Sequence, residues 1–227
     1  MKTTINFTTP KTLFTMAALA VVSCLSACSK DDNNGPDQSS SAYIMATNTA
    51  EVSDAQDFYA DNNKVNNSAL AYSQSTAYVK VNAGSHQLQF KTSGSATVNS
   101  SASLNTENGK YYSVFYTDDK STVTVTDDHT APKSGKARVR FINLSSALNA
   151  AIDFGVTGGN KLISGLAYRA ASAYNEIDAA TKFSLYLAGS SDIKLDIPVT
   201  IEAGHIYTIY ISGATTATLH YNLLVQD

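Results

Sequence analysis

The sequence predicts an all-β protein made of two tandem antiparallel β-sandwiches. Three observations carry the prediction: apolar residues alternate with a period of two, glycine and asparagine turn signals separate the alternating runs, and the chain repeats itself. Asp57-Phe58 recurs as Asp153-Phe154, Leu70-Ala71-Tyr72 as Leu166-Ala167-Tyr168, and Ala77-Tyr78 as Ala173-Tyr174, each 96 residues further on. With 227 residues, 43% hydrophobic and 15% charged, the composition excludes extended disorder and collagen-like or coiled-coil repeats.

The order of the chain begins with an address. Lys2 and Lys11 precede an apolar run at residues 13–22, and Leu25-Ser26-Ala27-Cys28 follows. That is the layout of a secretory signal peptide over residues 1–27, and the run is about half the roughly twenty residues a spanning helix needs. Leu25-Ser26-Ala27-Cys28 resembles a bacterial lipobox, which implies cleavage after Ala27 and a diacylglyceryl group, with palmitate-type acyl chains, on Cys28. Cys24 leaves with the signal peptide, so Cys28 has no thiol partner within the mature chain. At about 0.8 kcal/mol per buried CH₂, a multi-chain anchor holds the protein on a membrane.

Residues 28–41 lack large apolar side chains and are expected to be a flexible tether. Within them, Ser29-Lys30-Asp31-Asp32 resembles the lysine-plus-acids surface-export signal of Bacteroidetes lipoproteins, which implies an outer-membrane protein facing the exterior. The following Asn33-Asn34-Gly35 does not complete the EF-hand order, so no calcium loop is expected. The formal charge of −3 becomes −5 once Lys2 and Lys11 leave, which argues against nucleic acid as a partner.

The first sandwich is expected over residues 42–128, a linker over 129–136 and the second sandwich over 137–227. Each unit has about 90 residues, close to the roughly 100 of an immunoglobulin-like sandwich. Val139 and Phe141 alternate with Arg138 and Arg140, which reads as a half-buried strand with its arginines outward. Ile152, Phe154 and Val156, then Phe183, Leu185 and Leu187, alternate in the same way. Tyr112, Val114 and Tyr116 correspond to Tyr207, Ile209 and Ile211, so both units bury the same face. The junction falls at residues 127–135, where charge, Pro132 and Gly135 interrupt the alternation.

The second unit opens with Ala137-Arg138-Val139-Arg140-Phe141-Ile142-Asn143-Leu144-Ser145, continues through Asp153-Phe154 and Leu166-Ala167-Tyr168, and nears its end at Ile201-Glu202-Ala203-Gly204-His205-Ile206-Tyr207-Thr208. These residues resemble the bacterial family called domain of unknown function 4397. The first unit resembles a diverged copy, with Ala42-Tyr43-Ile44-Met45-Ala46-Thr47-Asn48 in place of the arginine-rich opening. The resemblance implies tandem all-β domains of immunoglobulin or transthyretin-like character on secreted or lipid-anchored proteins. It brings no activity, substrate or catalytic residue.

No G-x-S-x-G elbow, H-E-x-x-H helix or phosphate-binding glycine loop occurs, so no catalytic residue, metal or cofactor is expected. His86 and His205 are expected to be solvated beside turns, and His129 to lie in a solvated junction. Asp57 and Asp153 are read as outward positions between core residues. Thirteen tyrosines and no tryptophan leave Tyr72, Tyr78, Tyr168 and Tyr174 as candidate binding aromatics, because an exposed cluster would stack on sugars or anchor a protein. The expected function is that of a non-catalytic, surface-exposed outer-membrane lipoprotein for binding or adhesion at the cell envelope. The partners would be the membrane, through its N-terminal lipid, and an envelope or host protein. The alternative is a carbohydrate-binding accessory protein of a glycan-uptake system, with an envelope enzyme behind both.

Overall fold

Alternation of apolar and polar residues produces strands throughout, and no helix forms among the described residues. The computed structural model describes residues 40–148 and 150–226; the signal peptide, Cys28 and the export signal at residues 29–32 lie outside them. The first unit contains β1 (Ser41–Asn48), β2 (Gln56–Ala60), β3 (Asn63–Lys64), β4 (Val79–Asn82), β5 (Gly84–Thr92), β6 (Val98–Thr106), β7 (Tyr111–Tyr116) and β8 (Thr122–Asp127). The second contains β9 (Lys136–Asn143), β10 (Ile152–Val156), β11 (Lys161–Leu166), β12 (Asn175–Asp178), β13 (Phe183–Leu187), β14 (Ile193–Ile197), β15 (Ile206–Ser212) and β16 (His220–Val225).

Each unit folds into two four-stranded sheets with one topology. The sheets are β4-β1-β7-β8 against β3-β2-β5-β6, and β12-β9-β15-β16 against β11-β10-β13-β14. Adding eight to each strand number of the first unit yields the second, so the sequence repeat is also a repeat of fold. One pairing in each unit departs from the antiparallel expectation: β1 runs parallel to β7, and β9 to β15. The five intervening strands supply the long crossover that parallel neighbours require.

Between the sheets of the first sandwich lie Ala42, Ile44, Phe58, Leu88, Phe90 and Val114, with the Phe58 and Phe90 rings 5.0 Å apart. In the second, Phe141 stacks on Phe154 at 4.4 Å and meets Phe183 edge-on at 5.3 Å. The repeated motifs serve these cores. Leu70 and Leu166 are buried, and their carbonyls accept from Asn48 Nδ2 at 3.0 Å and Asn143 Nδ2 at 3.3 Å. Tyr112 and Tyr207 bury their rings while their hydroxyls accept from the backbone N–H groups of Glu107 and Glu202, at 3.0 and 3.2 Å. These contacts resemble the tyrosine corner of β-sandwiches.

A third apolar cluster joins the two sandwiches. Phe115 and Val123 of the first unit meet Ile142, Leu144 and Tyr210 of the second, and the Phe115 and Tyr210 rings lie 5.7 Å apart. The sheets containing β7 and β15 are therefore covered on both faces, and every residue of β15 is buried. This corrects the half-buried reading of β9. Arg140 and Ile142 do point away from their own core, yet both are buried, because the other sandwich covers that face.

Phe115→Ala removes the aromatic centre of the joint. A loss of about 3–5 kcal/mol is expected, typical of buried Phe→Ala changes and measurable from the urea midpoint.

Candidate functional site

Tyr72, Tyr78, Tyr168 and Tyr174 do not form an open platform. All four are half-buried along the joint between the sandwiches. The Tyr72 hydroxyl contacts Ser212 Oγ at 2.7 Å. Tyr78 donates to Asp127 Oδ2 at 2.7 Å and accepts from Gln226 Nε2 at 3.0 Å, while Tyr174 donates to Gln226 Oε1 at 2.9 Å. The Tyr174 ring also carries the guanidinium groups of Arg138 and Arg140 at 5.0 and 4.8 Å. Tyr168 stacks beside Arg169 and reaches toward Thr117 and Asp119 of the first unit. A tyrosine in a joint needs a polar partner for its hydroxyl; here the joint supplies one to Tyr72, Tyr78 and Tyr174.

At the centre of this network Arg140 is only 2% exposed. Its Nη2 donates to Asp127 Oδ1 at 2.6 Å, Nη1 to the Thr126 carbonyl at 2.9 Å, and Nε to Thr208 Oγ1 at 3.1 Å. Asp127 Oδ2 accepts from Ser113 Oγ at 2.8 Å as well as from Tyr78. Buried charges persist only when paired and hydrogen-bonded in this way. Burial, reinforced by the adjacent Asp127, pushes the Tyr78 hydroxyl far above its ordinary pKa and keeps it a donor.

The junction was expected to be solvated, but Asp127 is buried in that pair and the His129 ring stacks on Tyr111 at 4.0 Å. On the joint's rim Arg138 binds Asp128 at 2.6 Å and holds its carboxyl well below the usual range. Arg169 pairs with Asp119; burial pushes the Asp119 carboxyl up, but Thr117 and Arg169 outweigh it and bring it to about 2.

Asp57 and Asp153 face away from their cores, as the alternation implies, but they are 4% and 2% exposed rather than solvated. Lys64 lies 2.7 Å from Asp57 and Lys161 lies 2.6 Å from Asp153. Turn amides complete each shell: Gly94 N reaches Asp57, while Gly165 N and Gly189 N reach Asp153. Burial raises both carboxyls, yet the lysines and hydrogen bonds outweigh it and leave both below the ordinary value of 3.8.

Hollows of about 450 and 480 Å³ flank the joint, beside Arg138, Arg140 and Tyr174 and beside Tyr111, Asp127 and His129; two more lie on the rim of the first sandwich where the chain crosses from one sheet to the other. A cleft of about 460 Å³ runs between residues 65–70 and 74–79, lined by Asn67, Ser68, Ala69, Gln74, Ser75, Thr76 and Ala77 among others. Buried Asn66 fixes one wall by accepting from Phe58 N at 2.7 Å and donating to the Ser68 carbonyl at 2.8 Å. On the other, Thr76 Oγ1 accepts from Ala46 N at 3.0 Å and Ser75 Oγ meets Thr47 Oγ1 at 2.8 Å. Val65 and Val79 continue the cleft into a second hollow of about 540 Å³ bounded by Asp61, Lys64, Lys80 and His86.

The Asp61-Asn62 turn between β2 and β3 has positive φ at both residues, as a two-residue hairpin favours. It aims Asp61 at His86, with 2.6 Å between Oδ2 and Nδ1, and His86 Nε2 lies 2.7 Å from the Asn82 carbonyl. His86 is thus buried between two acceptors, not solvated, whereas His205 is exposed enough to match the expectation. Leu70 and Ala77 line the rim cleft, yet the repeated Leu70-Ala71-Tyr72 and Ala77-Tyr78 do not mark it as a cleft, because its walls come from an irregular connection.

The family profile of Domain of unknown function (DUF4397) matches residues 42–155. The match covers half of the chain: the first sandwich and the opening strands of the second, rather than the second unit from which the resemblance was read. No curated protein matches. Among solved structures, the C-terminal domain of AlgF from P. aeruginosa is 21% identical over 41% of this chain and 100% of its own, with a TM-score of 0.33. CBMbc, a family CBM26 domain of Eubacterium rectale Amy13K solved with maltoheptaose, is 13% identical over 82% of this chain and 97% of its own, TM-score 0.27. A streptococcal virulence factor described for alpha-glucan binding is 13% identical over 79% and 99%, TM-score 0.23. At these TM-scores the likenesses carry no functional argument.

Two outcomes are expected from the charge network. Arg140→Ala leaves Asp127 buried without its cation and should cost about 3–5 kcal/mol in a denaturant titration. Because Asp57 and Asp153 have lowered folded pKa values, their contribution is present above the ordinary aspartate value and lost as pH falls through the folded ones. The Asp57→Asn/Asp153→Asn variant should therefore show a shallower fall of thermal midpoint than the wild type between about pH 5 and pH 2.

Proposed function

The chain belongs to the family Domain of unknown function (DUF4397), and from that premise we propose that it is a non-catalytic lipoprotein, anchored through Cys28 in the outer membrane and facing outward, that binds a protein partner at the cell envelope. The observation that carries the binding reading is the rim cleft of the first sandwich. Its volume falls within the roughly 300–1,000 Å³ usual for ligand sites, and amide and hydroxyl side chains line it. Strand β4 borders it as a sheet edge, paired with β1 on one side. An extended segment laid along such an edge gains main-chain hydrogen bonds, while Val65 and Val79 offer a small apolar floor.

The location rests on the residue order at the N-terminus: Lys2 and Lys11, the apolar run, Leu25-Ser26-Ala27-Cys28, and then Ser29-Lys30-Asp31-Asp32. Joining the sandwiches through a buried interface suits a presenting role, since the cleft is then backed by both sandwiches.

The glycan reading keeps the polar cleft but has lost its tyrosine platform, because the four rings serve the joint. The two readings separate on glycan and envelope-protein arrays probed with the mature protein. Protein-selective binding abolished by Asn67→Trp and by Ala77→Trp, which fill the cleft, is expected. Binding to glycans alone would replace the protein reading.

Location is tested by protease shaving of intact cells with immunoblotting, beside a Cys28→Ala control. The wild-type band should be lost from unlysed cells, while the Cys28→Ala protein leaves the membrane fraction. Protection of the wild type until lysis would sink the outward-facing reading.

A further inference from the structure

The joint between the sandwiches has the form of a twofold dimer interface. Strand register fixes which residues correspond. Ser113 lies opposite Met45 as Thr208 lies opposite Arg140. Tyr112 lies opposite Thr126 as Tyr207 lies opposite Val225, so Asp127 corresponds to Gln226. Consistent with this, Asp127 pairs with Tyr111, and Gln226 N bonds the carbonyl of the corresponding Ile206.

Contacts across the joint are reciprocal in these terms. Phe115 touches Tyr210, its own counterpart, as residues on a twofold axis do. Tyr72 of the first unit contacts Ser212 of the second, and Tyr168 of the second faces Thr117 of the first. Within each unit the network behind these contacts also repeats, Ser113 donating to Asp127 as Thr208 donates to Gln226. Residue i meeting j while j meets i defines an isologous interface between two copies of one surface.

The symmetry fails in the ion pairs: on the rim Arg138 binds Asp128 and Arg169 binds Asp119, where the counterparts of Arg138, Arg169 and Asp119 are Tyr43, Ser73 and Ala214, and the buried exception lies at the centre. Arg140 faces Asp127, whereas the corresponding pair is Met45 and Gln226, both uncharged. We propose that this face is a self-complementary dimerisation surface used here within one chain, and that Arg140 opposite Asp127 is the specificity device that pairs a first sandwich only with a second. Two first units joined this way would each bury Asp127 against Met45 without a cation. Two second units would each bury Arg140 against Gln226 without an acid. Only the mixed pair matches charge with charge.

The test uses the full Cys28→Ala chain with a protease site replacing residues 131–135, which lie outside the strands. After cutting, the halves should co-elute at the position of the uncut protein; separate elution at micromolar concentration would overturn the proposal. Two such proteins bearing different affinity tags ahead of residue 40 are then cut, mixed in denaturant and refolded. One tag should retrieve second halves and none of the differently tagged first halves. In Asp127→Gln/Arg140→Met, which removes the buried charges and leaves only the more exposed rim pairs Arg138–Asp128 and Arg169–Asp119, it should also retrieve the differently tagged first halves. First-half pairs in the wild type would contradict the assigned role, as would strict mixed pairing in the variant. The wild-type arms decide the matter if the double variant does not refold.

Discussion

The ion pair of Arg140 with Asp127 sits where two sheets are buried on both faces, and much of the structure is arranged to make that position tolerable. A guanidinium and a carboxylate removed from water must be paired with each other and have their remaining hydrogen-bonding capacity met. Thr126, Thr208, Ser113 and Tyr78 do this directly, and Gln226 ties Thr208, Tyr78, Tyr174 and Ser113 together. Phe115, Ile142, Leu144 and Tyr210 exclude water beside them. The polar network supplies register, and the apolar cluster supplies area.

Duplication accounts for why so many short motifs recur, and physics for why those particular residues stayed alike. Leucine in Leu-Ala-Tyr fills a core and offers its carbonyl to an asparagine, while the tyrosine two residues on reaches the joint. Aspartate before phenylalanine marks a buried carboxylate held by a lysine on the outer sheet. Glutamate five residues before a tyrosine gives its backbone N–H to the ring hydroxyl. Each repeated residue solves a local problem that arises twice because the topology arises twice.

The strands and the repeat were legible because burial against a residue's own core leaves a period of two in the sequence. What faced the other way was not. Arg138-Val139-Arg140 reads as a strand with a wet face, and only the neighbouring sandwich, unrecorded in local pattern, makes Arg140 dry. Asp153 reads as outward and is outward; the Lys161 side chain and the Gly165 and Gly189 amides then cover it, through contacts set by turns. Tyr72, Tyr78, Tyr168 and Tyr174 stand out in the sequence as paired repeats, but the same amphipathic ring serves a ligand platform and a domain joint equally well, and the sequence does not say which. The rim cleft was not legible, since residues 65–79 lack strand periodicity and the repeated Leu70-Ala71-Tyr72 and Ala77-Tyr78 in them do not mark a cleft.

The proposed binding role gains from rigidity, because a preformed cleft loses little conformational freedom when it is filled. Here rigidity depends on the two sandwiches behaving as one folding unit. Differential scanning calorimetry of the mature chain tests that dependence most directly. One transition, with equal calorimetric and van't Hoff enthalpies, is expected; two resolved transitions, each the size of one sandwich, would contradict it.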